Sequence, residues 1–218
     1  MTTSGDTSQD RHHHPRPPKD DHCICFTPGA LIATPRGEVA AEALREGDTV
    51  FTRDNGAQSI VWTGRKELTG ADLQRQSDLL PVLIAKGALG NGLPERDLMV
   101  SPQHRVLLTS DRAAVYFEER EVLTAAKHLV GQPGIIRARA EPVSYIHFMC
   151  DNHEVVLSNG AWTESFQPGA SSLGALEARQ RAEIFTLFPE LETEDGLTGY
   201  NAARKTLKKH EAQLLLAQ

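Results

Sequence analysis

Three cysteines and nine histidines carry most of the chain's capacity for nucleophilic, proton-transfer or metal chemistry. Cys23, Cys25 and Cys150 are too few, and odd in number, for a disulfide framework, and the first two stand too close for an easy bridge. That usage fits a reducing compartment and leaves room for a reactive thiol, with a buried core thiol as the plainer reading of Cys25. In SPQHR, Ser101 places a hydroxyl three residues before the imidazole of His104. His153 falls on a turn between predicted strands, where a structural hydrogen bond and proton transfer both fit. Cys150 reads as a small core residue. Glu164 is an acid in an apolar stretch and reads as a turn cap, or else as a charge supplied to a nearby site. His12, His13, His14 and His22 gather near Cys23 and Cys25, but Cys-x-Cys is not a structural zinc spacing. Metal binding there would be adventitious, and no metal and no cofactor is expected.

The elements that must position these groups are short. Residues 1–22 are polar, rich in Pro and nearly without large apolar side chains, so they are read as a disordered N-terminal tail. At HCICF the composition changes. From there to about 169, brief runs of Val, Ile, Thr and aromatic residues alternate with turn signals: Pro35-Arg36-Gly37, Glu46-Gly47-Asp48 and Asn55-Gly56. Asn-Gly between β-prone runs predicts a hairpin. LMVSPQHRVLLTS reads as a strand pair broken at Ser101-Pro102, and AVYFEER, IIRARAEPVSYIHFMC and EVVLSNGAWTESF as further strands. Residues 40–45 and 124–130 predict short helices, the second stopped by Gly131. The fold class is therefore mostly β. After Pro168-Gly169 the period becomes helical. Residues 171–190 predict one helix, packing on the β-domain through Leu176, Ile184 and Leu187, and 202–218 predict a last one. Lys205, Lys208, Lys209 and His210 make a basic stripe on that last helix, read as a solvated face. The expected division is thus 1–22, 23–169 and 170–218.

Composition narrows the function classes. With 39% hydrophobic and 24% charged residues the chain can build a globular core, and its net charge of −6 argues against nucleic-acid binding through a basic field. No run approaches the roughly 20 apolar residues of a membrane span, so no membrane partner is expected. The N-terminus lacks the apolar core of a secretory signal. A cytoplasmic location is expected, with leaderless export left open.

Three stretches, in this order, resemble a Hint domain, the self-processing β-fold of inteins and hedgehog proteins. CFTPGALIATPRGEVAAEALREGDTVFTRDN (25–55) is similar to the opening block, with Leu44, Gly47, Asp48 and Val50 as its leu-x-x-gly-asp-x-val element. SPQHRVLL (101–108) is similar to the block with a hydroxyl residue three positions before a His. YIHFMCDNHEVVLSNG (145–160) is similar to the penultimate block. CFTPG, SPQHR and ESF point to the bacterial Hint type rather than to a splicing intein. The resemblance implies a Hint-type all-β fold with a C-terminal helical extension. It also implies an N-to-S acyl shift, in which Cys25 attacks the carbonyl of Ile24 as an intramolecular nucleophile. His104 would protonate the leaving amine, Ser101 would hold the scissile amide or orient the imidazole, and His153 is a further candidate for proton transfer. The substrate would be the chain's own N-terminal segment, and water or a small nucleophile the acceptor.

The positions where an intein ends in His-Asn hold Glu164 and Ser165, so a single N-terminal cleavage without splicing is expected. The Asp that many inteins place after the aromatic of the third block is replaced by Ile146, and His147 or Asp151 stand near enough in sequence to substitute. Crowding at the β-branched Ile24 slows attack. The alternative function is therefore a Hint-like binding or structural module without the chemistry, and transfer of the tail to another nucleophile is a third.

Overall fold

β-prone runs separated by residues that accept positive φ fold back on themselves, and the computed structural model, which describes residues 24–216, is built mainly of such hairpins. Leu31–Thr34 (β1) pairs with Gly37–Ala40 (β2), and Thr49–Thr52 (β3) with Gly56–Ser59 (β4), the second around the Asn55-Gly56 turn where Gly56 has φ +67°. Trp62–Leu68 (β5) leads into Gly70–Arg75 (α1), capped by Thr69, and then Val82–Ile84 (β6) and Leu98–Val100 (β7). Arg105–Thr109 (β8), Asp111–Phe117 (α2), Glu121–Ala125 (β9), Ala126–Leu129 (α3) and Ile135–Arg137 (β10) follow. Val143–Met149 (β11), Val155–Ser158 (β12) and Ala161–Glu164 (β13) complete the β-region. Beyond it lie Ala170–Gly174 (α4), Ala178–Leu187 (α5), Glu194–Gly199 (α6), Thr206–Leu207 (β14) and Lys209–Leu216 (α7).

Among the described residues the strands form three sheets. The largest runs β14-β9-β8-β13-β12-β1-β2, with β3 beside β12 and β4 beside β3. A second runs β10-β6-β7, and β11 pairs along its whole length with β5. Residues 24–26 pass between the smaller two, where Phe26 bridges both Val100 and Ile146. That crossing fixes the start of the described chain against the end of β7 and the middle of β11.

Two main cores result. One gathers Phe26, Ile32, Val50, Val100 and Phe148. The other gathers Ile24, Cys25, Trp62, Tyr145 and Phe166 with Leu173, Leu176, Ile184 and Leu191 from the C-terminal region. Leu176 and Ile184 are buried as expected, but Leu187 is half exposed, and Phe185 and Phe188 pack against the core instead.

Four sequence expectations are corrected. Residues 111–117, read in part as a strand, are helical, because Ser110 accepts the Arg112 N–H as N-cap and the turn buries Ala113. β7 and β8 are both strands but do not pair, since β7 joins β6 while β8 joins β9 and β13. The helix expected from 171 to 190 breaks between α4 and α5. The last helix begins only at Lys209, because residues 206–207 add to the large sheet in parallel with β9; Lys205 and Lys208 of the basic stripe thus precede it. Among the described residues no helix is long and apolar enough to cross a membrane. The N-terminal tail, with His12, His13, His14, His22 and Cys23, lies outside the described residues.

Candidate active site

SPQH is a β-turn with Pro in its second position, closed by the His104 N–H donating to the Ser101 carbonyl at 3.1 Å. The start of α3 grips it from outside: Ala126 N–H donates to the His104 carbonyl and Lys127 N–H to that of Pro102, each at 2.9 Å. Ser101 and His104 are therefore fixed side by side at the end of β7, and both are buried.

The Ile24–Cys25 peptide lies against this turn. The Cys25 N–H donates to Ser101 Oγ at 2.9 Å, and the Ser101 N–H returns a bond to the Cys25 carbonyl at 2.9 Å. One residue on, Phe26 exchanges a pair of backbone bonds with Ile146, at 2.8 and 2.9 Å. The amide that a Cys25 nucleophile would break is thus held on its nitrogen side by a hydroxyl. On the carbonyl side, His147 Nδ1 lies 3.4 Å from the Ile24 oxygen. Cys25 is fully buried and Ile24 nearly so, at 0% and 5% exposure.

His104 packs its ring edge-on against Phe26, with centroids 4.4 Å apart. Neither ring nitrogen has a hydrogen-bond partner; the Cys25 carbonyl lies nearby without forming a full bond. Burial dominates the electrostatics and lowers the pKa to about 4, against the raising influence of Glu164 and the further lowering by Arg105 and His153. The imidazole is therefore neutral at pH 7.

Glu164 supplies a charge here and does not cap a turn. Its fully buried carboxylate accepts the Arg105 N–H at 2.8 Å, Arg105 Nη1 at 3.0 Å and His153 Nε2 at 3.0 Å. Burial works to raise its pKa, but Arg105 and His153 outweigh that and hold the carboxyl below the usual range. His153 is fixed from its other side by Ala203, whose N–H donates to Nδ1 at 2.9 Å, so the proton shared with Glu164 sits on Nε2. The structure therefore brings Cys25, Ser101 and His104 together directly, and His153 joins them through Glu164.

His147 was named in the sequence only as a stand-in for a missing Asp. Alternation along β11 was the signal that carried more. Tyr145 and Met149 face the core that holds Cys25, whereas Ile146 and Phe148 face the other, so His147 shares the side of the thiol. Cys150 is a core residue whose thiol is pushed up to about 12 by burial, which rules it out as a ready nucleophile. Among the described residues no cluster of His, Cys, Asp or Glu is arranged to hold a metal ion.

The profile of the Hint domain family matches residues 24–170. Similar solved structures include a bacterial intein-like domain from Clostridium thermocellum, at 15% identity and a TM-score of 0.43, covering 65% of this chain and 98% of that one. A DnaB intein from Synechocystis is similar at 8% identity and a TM-score of 0.43, covering 65% and 98%. No curated protein matches the chain.

Proposed function

Because the chain belongs to the Hint domain family, a family of self-processing folds, we propose that it cuts itself once, at Ile24–Cys25, by an N-to-S acyl shift. The observation that carries this reading is the two-way clamp between Cys25 and Ser101, which fixes the nitrogen of the bond to be broken. A nucleophile covalently adjacent to its target gains most from such fixing, because orientation replaces a bimolecular encounter.

The burial of His104 sets the order of proton moves. A neutral imidazole is a base before it is an acid. It takes the proton of the Cys25 thiol, and Sγ attacks the Ile24 carbon. The imidazolium so formed is favoured by the Glu164 carboxylate, itself anchored by Arg105 and His153. As the C–N bond breaks, the same proton passes to the Cys25 nitrogen. The thioester then falls to water or a small nucleophile, releasing a segment that ends at Ile24. No second cut follows, because Glu164 and Ser165 occupy the closing positions and the chain continues into packed helices.

A second reading, a fold that has kept its shape without the chemistry, is favoured by the burial of Cys25 and Ile24 in the same core as Leu173, Leu176 and Ile184. Intact mass with and without added thiol separates the two. The acyl shift predicts a thiol-accelerated product that begins at Cys25 and is absent from Cys25→Ala. A chain that stays whole under every condition would leave the inactive module standing.

A further inference from the structure

We propose that His147 is a catalytic residue of this site, the hydrogen-bond donor that receives the developing oxyanion on Ile24. The proposal rests on the acyl-shift reading and adds to it the group that handles the carbonyl. When Sγ bonds to the Ile24 carbon, the carbonyl π pair moves onto oxygen; when the intermediate collapses, that pair re-forms the double bond and the C–N pair leaves with Cys25. Ser101 and His104 serve the nitrogen and the proton. The oxygen faces Nδ1 of His147, at 3.4 Å. That is long for a hydrogen bond to a neutral carbonyl, and such contacts shorten as the oxygen gains charge. Because ring and carbonyl are both buried, a donor there acts undiluted by solvent.

The ring is held in place by a device that has no other evident purpose. On β5, Gly64 lies directly opposite His147, and the indole of Trp62 lies across it. The Trp62 and His147 rings stack with centroids 5.9 Å apart and planes within 9°, while Phe166 meets the imidazole edge-on at 5.7 Å. A Cβ on Gly64 would come within 2.4 Å of the indole and 2.8 Å of the imidazole Cδ2. Both rings are about 1% exposed and cannot swing out to solvent. The missing side chain at Gly64 therefore sets the imidazole plane, and Trp62 and Gly64 are positioning residues.

The test is the rate of thiol-dependent cleavage in the full chain for His147→Phe, His147→Asn and Gly64→Ala, each confirmed as folded by its circular dichroism. His147→Phe should slow cleavage roughly a hundredfold. His147→Asn, whose amide NH₂ sits where Nδ1 does, should recover most of the loss, and Gly64→Ala should fall between. In the uncleavable Cys25→Ala background, a ¹³C label on the Ile24 carbonyl should shift when His147→Phe is added and return with His147→Asn. Cleavage at the original rate in His147→Phe would overturn the assignment while leaving the acyl shift intact. A carbonyl signal indifferent to residue 147 would overturn the contact itself. An unaltered chain that never cleaves would overturn the acyl shift, and this role with it.

Discussion

Replacing His104 by Leu should make the protein more resistant to mild acid, and the size of the gain follows from the burial of the imidazole. The folded pKa of His104 is about 4, against an ordinary 6.5. Above pH 6.5 the ring is neutral whether the chain is folded or not, so the native state is at full advantage. As pH falls from 6.5 toward 4 the unfolded chain takes up a proton that the folded one refuses, and stability is lost. At 1.36 kcal/mol per tenfold change, the whole interval is worth about 3 kcal/mol, of which about 2 kcal/mol has gone by pH 5. For a chain of this size that is a fall in Tm of roughly 4–8 °C. Glu164 does not confuse the window, because its depressed carboxyl costs stability only at pH values below the ordinary carboxylate range. His128, also lowered by partial burial, contributes equally to both proteins and cancels. Urea unfolding at pH 8 and pH 5 gives the answer. The Leu variant should lose about 2 kcal/mol less than the parent between the two. Parallel losses would mean that His104 is not held neutral, and the proton order proposed for the acyl shift would fail with it.

Ser101→Ala removes the acceptor of the Cys25 N–H inside the core; it should cost about 1–3 kcal/mol in urea unfolding and slow thiol-dependent cleavage by roughly tenfold or more. Glu164→Gln strips a buried carboxylate from Arg105 and His153; a loss of about 3 kcal/mol is expected by thermal melting, and a change under 1 kcal/mol, the size of a surface pair, would show that the cluster does not anchor the site. Ile184→Ala empties a fully buried position where α5 meets the Cys25 core. It should cost about 2–5 kcal/mol, and a neutral result would mean that the C-terminal helices are not part of that core.

Features written in local chemistry were legible in the sequence, and those that depend on distant partners were not. The Asn55-Gly56 hairpin could be read because its turn needs a residue that accepts positive φ, and Gly56 adopts +67°; the like turn at Asn159-Gly160, with φ of +46° and +79°, lay unread inside a single strand run. Ser101 and His104 were legible from the three-residue spacing of hydroxyl and imidazole that the family resemblance marks. The pairing of β7 and β8 was misjudged because that turn, outwardly a hairpin, hands the chain from one sheet to another. β14 is two residues long and gains its identity only from β9. The helix at 111–117 was hidden by Val115 and Tyr116, which favour strands but here are exposed at 78% and 48%. Glu164 had no visible partner, since Arg105 lies 59 residues before it in sequence. His147 was obscured by a search for an acid at the neighbouring position; two-residue alternation puts it on the face of Tyr145 and Met149, and only the fold brings Cys25 to that face.

The most direct test of the central claim is the linkage at Ile24 itself. Hydroxylamine attacks thioesters and spares amides, so treating the folded protein and weighing the fragments identifies the bond. The acyl shift predicts an N-terminal fragment ending in an Ile24 hydroxamate and a partner beginning with Cys25, with neither from Cys25→Ala. Cleavage at another position, or an undivided chain, would contradict it.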